Sequence, residues 1–139
     1  MHTAKISILI NTSLEQAWGA LVNPEMIKQY LFDTTVSSDW KVGSPIVYRG
    51  EWQGKTYEDK GVILKIEPKK ILESTYWSSM SGSADIPENY KKVTYELEQK
   101  EDGVLLSITQ DNNGSEEAQK HSEENWSMIL SGLKALLEN

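Results

Sequence analysis

Apolar residues recur along this chain at two periods, one near two and one near 3.6, and the switches between them predict its elements. Residues 4–10 alternate, with Ile6, Ile8 and Ile10 on one face and Lys5 and Ser7 on the other, which predicts a strand. Asn11-Thr12-Ser13 breaks the alternation. Ser13 followed three residues later by Gln16 is a capping-box pattern, and Leu14, Ala17, Trp18, Leu21 and Val22 form a helical stripe. Asn23-Pro24 ends that helix and opens a short second one running to about Leu31, with Asn23 as N-cap and Pro24 at the first helical position. Met26, Ile27 and Tyr30 are its apolar side. From Thr34 to Asp111 the period is two, with strands expected at roughly 34–38, 45–52, 56–67, 71–79, 91–100 and 104–111. Turn residues separate them: Lys41-Val42-Gly43-Ser44, Gln53-Gly54, Pro68-Lys69-Lys70 and Lys100-Glu101-Asp102-Gly103. Connections this short imply an antiparallel meander, because parallel pairing needs a long crossover. The polar stretch from Ser78 to Tyr90 is too long for a hairpin turn. Its length suits a lid or binding loop, with a plain mobile surface loop as the alternative.

Ser115 to Asn139 reads as one long amphipathic helix. Trp126, Ile129, Leu130, Leu133, Leu136 and Leu137 define its apolar face, which continues backwards onto Ser122, Gln119 and Ala118. A face that is bulky at one end and small or polar at the other predicts packing over a space, hence a ligand cavity. Strand alternation suggests what lines it. Val93, Tyr95 and Leu97 share a face; so do Val104, Leu106, Ile108 and Gln110; so do Ile46, Tyr48 and Trp52; and so do Leu72, Ser74 and Tyr76. Bulges at Gly50 or Gly61 would flip these assignments. Gln110 falls near Ser122 and Gln119 and could supply a hydrogen bond inside an apolar pocket. The expected cavity set is Tyr30, Tyr48, Tyr76, Tyr95, Gln110, Ser122, Trp126 and Ile129. For each tyrosine singly, the competing reading is core packing with its hydroxyl at the rim.

With 139 residues the chain suits one domain, 1–139, with a proper core. A net charge of −7 argues against nucleic-acid binding and against anionic membrane surfaces. The absence of cysteine removes disulfides, thiolate metal sites and cysteine nucleophiles. Neither a signal-peptide core nor a membrane-spanning run follows Met1, so a cytoplasmic location is expected. Five Trp and six Tyr stand against one Phe, a bias towards rings with a polar handle. The histidines are His2, near the terminus, and His121, flanked at helical spacing by Glu117 and Glu124. That trio points about 120–180° away from the apolar stripe, towards water, so no metal site is expected. No nucleophile elbow, phosphate loop or zinc-protease motif is present. Glu51, Glu58 and Glu73 lie on or beside strands, where one turned inward could act as an acid or base. The solvent face is the commoner place for a strand glutamate. No catalytic, cofactor-binding or metal-binding residue is assigned from sequence.

The order strand, two helices, six-stranded meander, long closing helix is the helix-grip arrangement, an α+β fold in which a curved antiparallel sheet of six to seven strands wraps the last helix. The chain resembles START-like (SRPBCC) domains, and most closely the branch containing homologues of the activator of heat-shock-protein ATPase. The matching segments include Ser13-Leu14-Glu15-Gln16-Ala17-Trp18, Asn23-Pro24, Val42-Gly43, Gly61 through Pro68 and Leu72 through Trp77. Val93 through Leu97, Gly103 with Leu106, and Asn125-Trp126 with Leu130 and Leu133 complete them. Tyr30, Gly103-Val104 and Asn125-Trp126 depart from residues common in the family without changing the packing class. The resemblance implies a fold and a deep cavity far more firmly than an activity.

Three functions follow as expectations. The first is non-enzymatic binding of a small hydrophobic or amphipathic ligand between the sheet and the last helix. The second is a protein–protein module with a chaperone partner, resembling chaperone-ATPase activators. The third is a cyclase-, dehydratase- or hydrolase-type enzyme using a cavity carboxylate. Oligomeric state is not readable from the pattern.

Overall fold

In the computed structural model, which describes residues 2–31, 33–79 and 81–138, every alternating segment pairs as a strand. Asn139 of the expected last helix, Met80 of the long loop and the side chain of Trp52 lie outside the described residues. The chain runs β1 (His2–Ile10), α1 (Leu14–Val22), α2 (Pro24–Tyr30), β2 (Thr35–Ser38), β3 (Pro45–Trp52), β4 (Lys55–Glu67) and β5 (Ile71–Ser78). A single 3-10 turn (Pro87–Asn89) then precedes β6 (Lys91–Lys100), β7 (Gly103–Asn113) and α3 (Glu116–Glu138). The seven strands form one antiparallel sheet in the order β1-β7-β6-β5-β4-β3-β2. From β2 to β7 it is a meander, closed by return of the first strand onto the last. This is the helix-grip arrangement.

The helix starts obey the capping signals. Ser13 Oγ accepts from the Gln16 amide at 3.1 Å, and Asn23 Oδ1 accepts from the Glu25 amide at 3.0 Å with Pro24 beside it. Ser115 Oγ does the same for the Ala118 amide at the start of α3, at 3.1 Å. Each removes one unpaired donor from a first turn, worth about 1 kcal/mol.

The inner sheet face is apolar along its length. Ile10, Ile46, Ile63, Val104, Leu106 and Ile108 are essentially fully buried there, against Leu130 and Leu133 of α3. Pairing of β3 with β4 runs unbroken from Pro45↔Val62 to Trp52↔Lys55, so neither Gly50 nor Gly61 interrupts it. The irregularity lies instead between Ile63 and Lys65, against β5. Gly61 serves close approach: a Cβ there would stand 1.7 Å from the Thr75 carbonyl oxygen. Gly103, at φ +146°, likewise leaves room for the Ile10 carbonyl, 2.2 Å from where its Cβ would be.

The long connection between β5 and β6 is tethered to the outer sheet face. Asp85 takes an ion pair from Lys60 at 2.6 Å and a hydrogen bond from the Tyr90 hydroxyl at 2.5 Å. The Tyr90 ring stacks on Trp77, and Lys60 lies over the same indole. From the other side, Asn112 Nδ2 donates to the Glu88 and Tyr90 carbonyls, both at 3.0 Å.

Candidate functional site

Four elements meet around one small hollow beneath α3. Helix α1 contributes Leu21, helix α2 contributes Ile27 and Tyr30, and the sheet contributes Tyr48, Leu72, Tyr95 and Ile108. Trp126, Ile129, Leu130 and Leu133 of α3 close it from above. Its volume is about 20 Å³, room for about one water. The resemblance implied a deep cavity; here aromatic rings occupy that volume. The rings interlock edge to face: Tyr95 against Trp126 with centroids 5.9 Å apart, and Tyr48 against Tyr76 at 6.1 Å. Such pairs add about 0.5–1.5 kcal/mol each beyond their area burial.

The phenols around the hollow converge. Burial raises the pKa of Tyr30, Tyr48, Tyr76 and Tyr95, because a phenolate loses its hydration there. The Tyr95 hydroxyl lies close enough to Tyr30 and Tyr48 to raise both further. All four therefore stay neutral at physiological pH. Tyr30 Oη donates to the Ala20 carbonyl at 2.6 Å and Tyr76 Oη to Asp59 Oδ2 at 2.7 Å. The Tyr48 and Tyr95 hydroxyls make no hydrogen bond to any described residue.

Of the eight residues expected to line a cavity, Tyr30, Tyr48, Tyr95, Trp126 and Ile129 do surround the hollow. Tyr76 stands behind Tyr48, at the second ring of the pair. Gln110 and Ser122 meet each other, as their spacing suggested, but within a polar network rather than on a ligand-facing wall. Gln110 Nε2 donates to Ser122 Oγ at 3.1 Å and to Asn113 Oδ1 at 3.2 Å. Gln110 Oε1 accepts from the Trp126 indole at 2.9 Å, and Ser122 Oγ donates to Asn113 Oδ1, also at 2.9 Å. The small, polar end of the α3 stripe is thus explained by hydrogen bonding. It seats polar side chains where an empty space was expected.

Two residues escaped the sequence reading. Asn113 joins the network at the end of β7, donating through Nδ2 to the carbonyls of Gln110 and His2. Asp59 is the inward carboxylate of β4: it is only 9% exposed, and its Oδ1 has no partner. The three glutamates considered earlier are placed differently. Glu51 is exposed, Glu58 pairs with Arg49 on the outer face at 2.9 Å, and Glu73 accepts from Thr94 Oγ1. Continuous alternation through Tyr57, Asp59, Gly61 and Ile63 was the signal that could have found Asp59.

Similarity to known proteins agrees with this architecture. Residues 11–138 match the family described as activator of Hsp90 ATPase homolog 1-like protein. The solution structure of ChR145 from Cytophaga hutchinsonii is 52% identical, with a TM-score of 0.87 over 99% of this chain and 94% of that one. The Aha1 dimer from Colwellia psychrerythraea is 21% identical, with a TM-score of 0.76 over 99% of this chain and 97% of that one. DynU16, a putative protein in the dynemicin biosynthetic locus, is 14% identical with a TM-score of 0.81; this chain covers 48% of it. No curated protein matches. No helix among the described residues is long and apolar enough to cross a membrane. The chain belongs to the activator of Hsp90 ATPase homolog 1-like family.

Proposed function

We propose that this member of the family binds a small amphipathic molecule in the aromatic hollow under α3, in an opened form in which the ring side chains part. One observation carries the reading: the Tyr48 and Tyr95 hydroxyls border an apolar hollow without any described hydrogen-bond partner. Neither hydroxyl is among the fully buried atoms without a partner, so both keep surface that a ligand oxygen or nitrogen could meet. Apolar contact with Leu72, Ile108, Trp126 and Ile129 would drive binding at about 25 cal/mol per Å² buried. Because the closed hollow has the volume of about one water, part of that gain is spent on displacing rings. Affinity is therefore modest and selective for slim molecules. Displacement of a bound hydrophobic dye by 1-octanol, with native mass spectrometry of protein purified without refolding, tests this. Displacement is expected, and Trp126→Ala is expected to weaken it. A folded protein that takes up neither dye nor alcohol overturns the reading.

A second reading follows from a different surface. The outer sheet face carries an open groove of about 580 Å³ bordered by Lys5, Lys65 and Lys70 alongside Glu67, Glu96 and Glu98. A protein partner of mixed charge fits such a groove better than a small apolar molecule does. On this reading the chain stimulates a chaperone ATPase, as the family description suggests. Reversing Lys65 and Glu96 would abolish stimulation while Trp126→Ala would leave it intact. An ATPase assay with no response to the chain removes this reading.

A further inference from the structure

Two buried side-chain atoms among the described residues lack any partner, Trp77 Nε1 and Asp59 Oδ1. The indole nitrogen lies on the outer face, beneath the tethered loop. Asp59 is different, because a carboxylate is the costlier group to leave bare. It sits on the inner face of β4, directly across from Tyr48 on β3 and Ser78 on β5. One oxygen is taken by the Tyr76 hydroxyl. None of the ion pairs among the described residues involves Asp59, and the residues that surround the hollow are apolar or aromatic. The Asp59 carboxyl therefore stands behind the ring wall, at Tyr76 and beside Tyr48, outside the lining of the hollow itself and with no described cation paired to it.

Resting on the ligand-binding reading above, we propose that Asp59 is the acceptor for the protonated nitrogen of an amphipathic amine whose apolar part fills the aromatic hollow. An ammonium supplies what the site lacks: a donor for the bare carboxyl oxygen, and one that carries the charge opposite to a carboxylate's. A hydroxyl supplies only the donor. A carboxylate ligand would face Asp59 as a like charge.

The test compares three probes of equal tail length on the full chain at neutral pH: octylamine, 1-octanol and octanoate, measured by calorimetric titration. Octylamine is expected to bind about tenfold more tightly than 1-octanol, the scale of one hydrogen bond to a charged group, with octanoate weakest. Asp59→Asn should erase the advantage of the amine and leave 1-octanol unchanged. Tyr76→Phe keeps the carboxylate, so the advantage should persist there, which guards against a poorly folded Asp59→Asn protein. Equal affinity for amine and alcohol in the native chain, or loss of both together in folded Asp59→Asn, overturns the assignment and leaves Asp59 a hydrated structural residue. Failure of all three probes overturns the hollow as a binding site, and this proposal with it.

Discussion

The two ends of α3 grip the same sheet by different physics. Towards its C-terminus, Ile129, Leu130, Leu133 and Leu137 are buried among branched side chains of the sheet's inner face. Towards its N-terminus, Ser122 and Trp126 reach Gln110 and Asn113 through hydrogen bonds. The apolar end contributes most of the binding strength of helix to sheet, because burial scales with area and is indifferent to direction. The polar end contributes position. A helix displaced by one residue would keep much of its apolar contact but would strand Gln110, Asn113 and Ser122 without partners. An interrupted hydrophobic stripe is therefore a poor sign of empty space, since it marks equally well where a helix is pinned.

The contrast can be broken from the apolar end first. Leu130→Ala removes a fully buried side chain and is expected to cost about 2–5 kcal/mol, read from urea denaturation. At the polar end, Gln110→Ala leaves the Trp126 indole and the Asn113–Ser122 pair short of partners. The expected cost there is about 1–3 kcal/mol, and indole proton exchange at Trp126 should speed up by more than the loss of global stability explains. An exchange rate that follows global stability alone would show the network to be passive. The smallest effect is electrostatic, at the far end of the helix. Glu138 accepts from the Asn11 amide at 2.9 Å and pairs with Lys134. The Asn11 amide first, and Lys134 second, hold its carboxyl below the usual range. A depressed pKa means stability that is present above the ordinary carboxylate pKa and is lost as pH falls through the depressed value. Glu138→Gln should therefore lower the melting temperature slightly at neutral pH, and the difference should vanish in acid. A difference that persists in acid would assign the effect to packing.

Periodicity made the architecture legible. Strand boundaries, both short helices and α3 follow from spacing and caps alone, because each element's buried face repeats at its own period. The site was legible in part. Five of the eight expected residues surround the hollow, Tyr48 and Tyr95 because strand alternation fixes their facing and Tyr30, Trp126 and Ile129 because helical spacing fixes theirs. Asp59 was missed because only Glu51, Glu58 and Glu73 were weighed as inward carboxylates, although the pairing of β4 is unbroken from Tyr57 to Ile63. Asn113 was missed because its geometry depends on Asn112 at φ +56°, a left-handed position that ends the strand's simple pattern. The volume of the hollow was beyond reach, since it depends on how four ring side chains lean.

The pairing of β1 with β7 carries a consequence for biosynthesis. Within the sheet the first strand has the last as its sole neighbour, and Ser7 meets Ser107 across that seam at 2.9 Å. During translation the leading segment therefore emerges with its pairing edge unoccupied and waits while the meander is made. Its isoleucines stay exposed to holdases and to other nascent chains until β7 clears the ribosome. The vulnerable interval is set by elongation speed, so slowing synthesis after β1 should lower the yield of folded protein more than slowing it after β7.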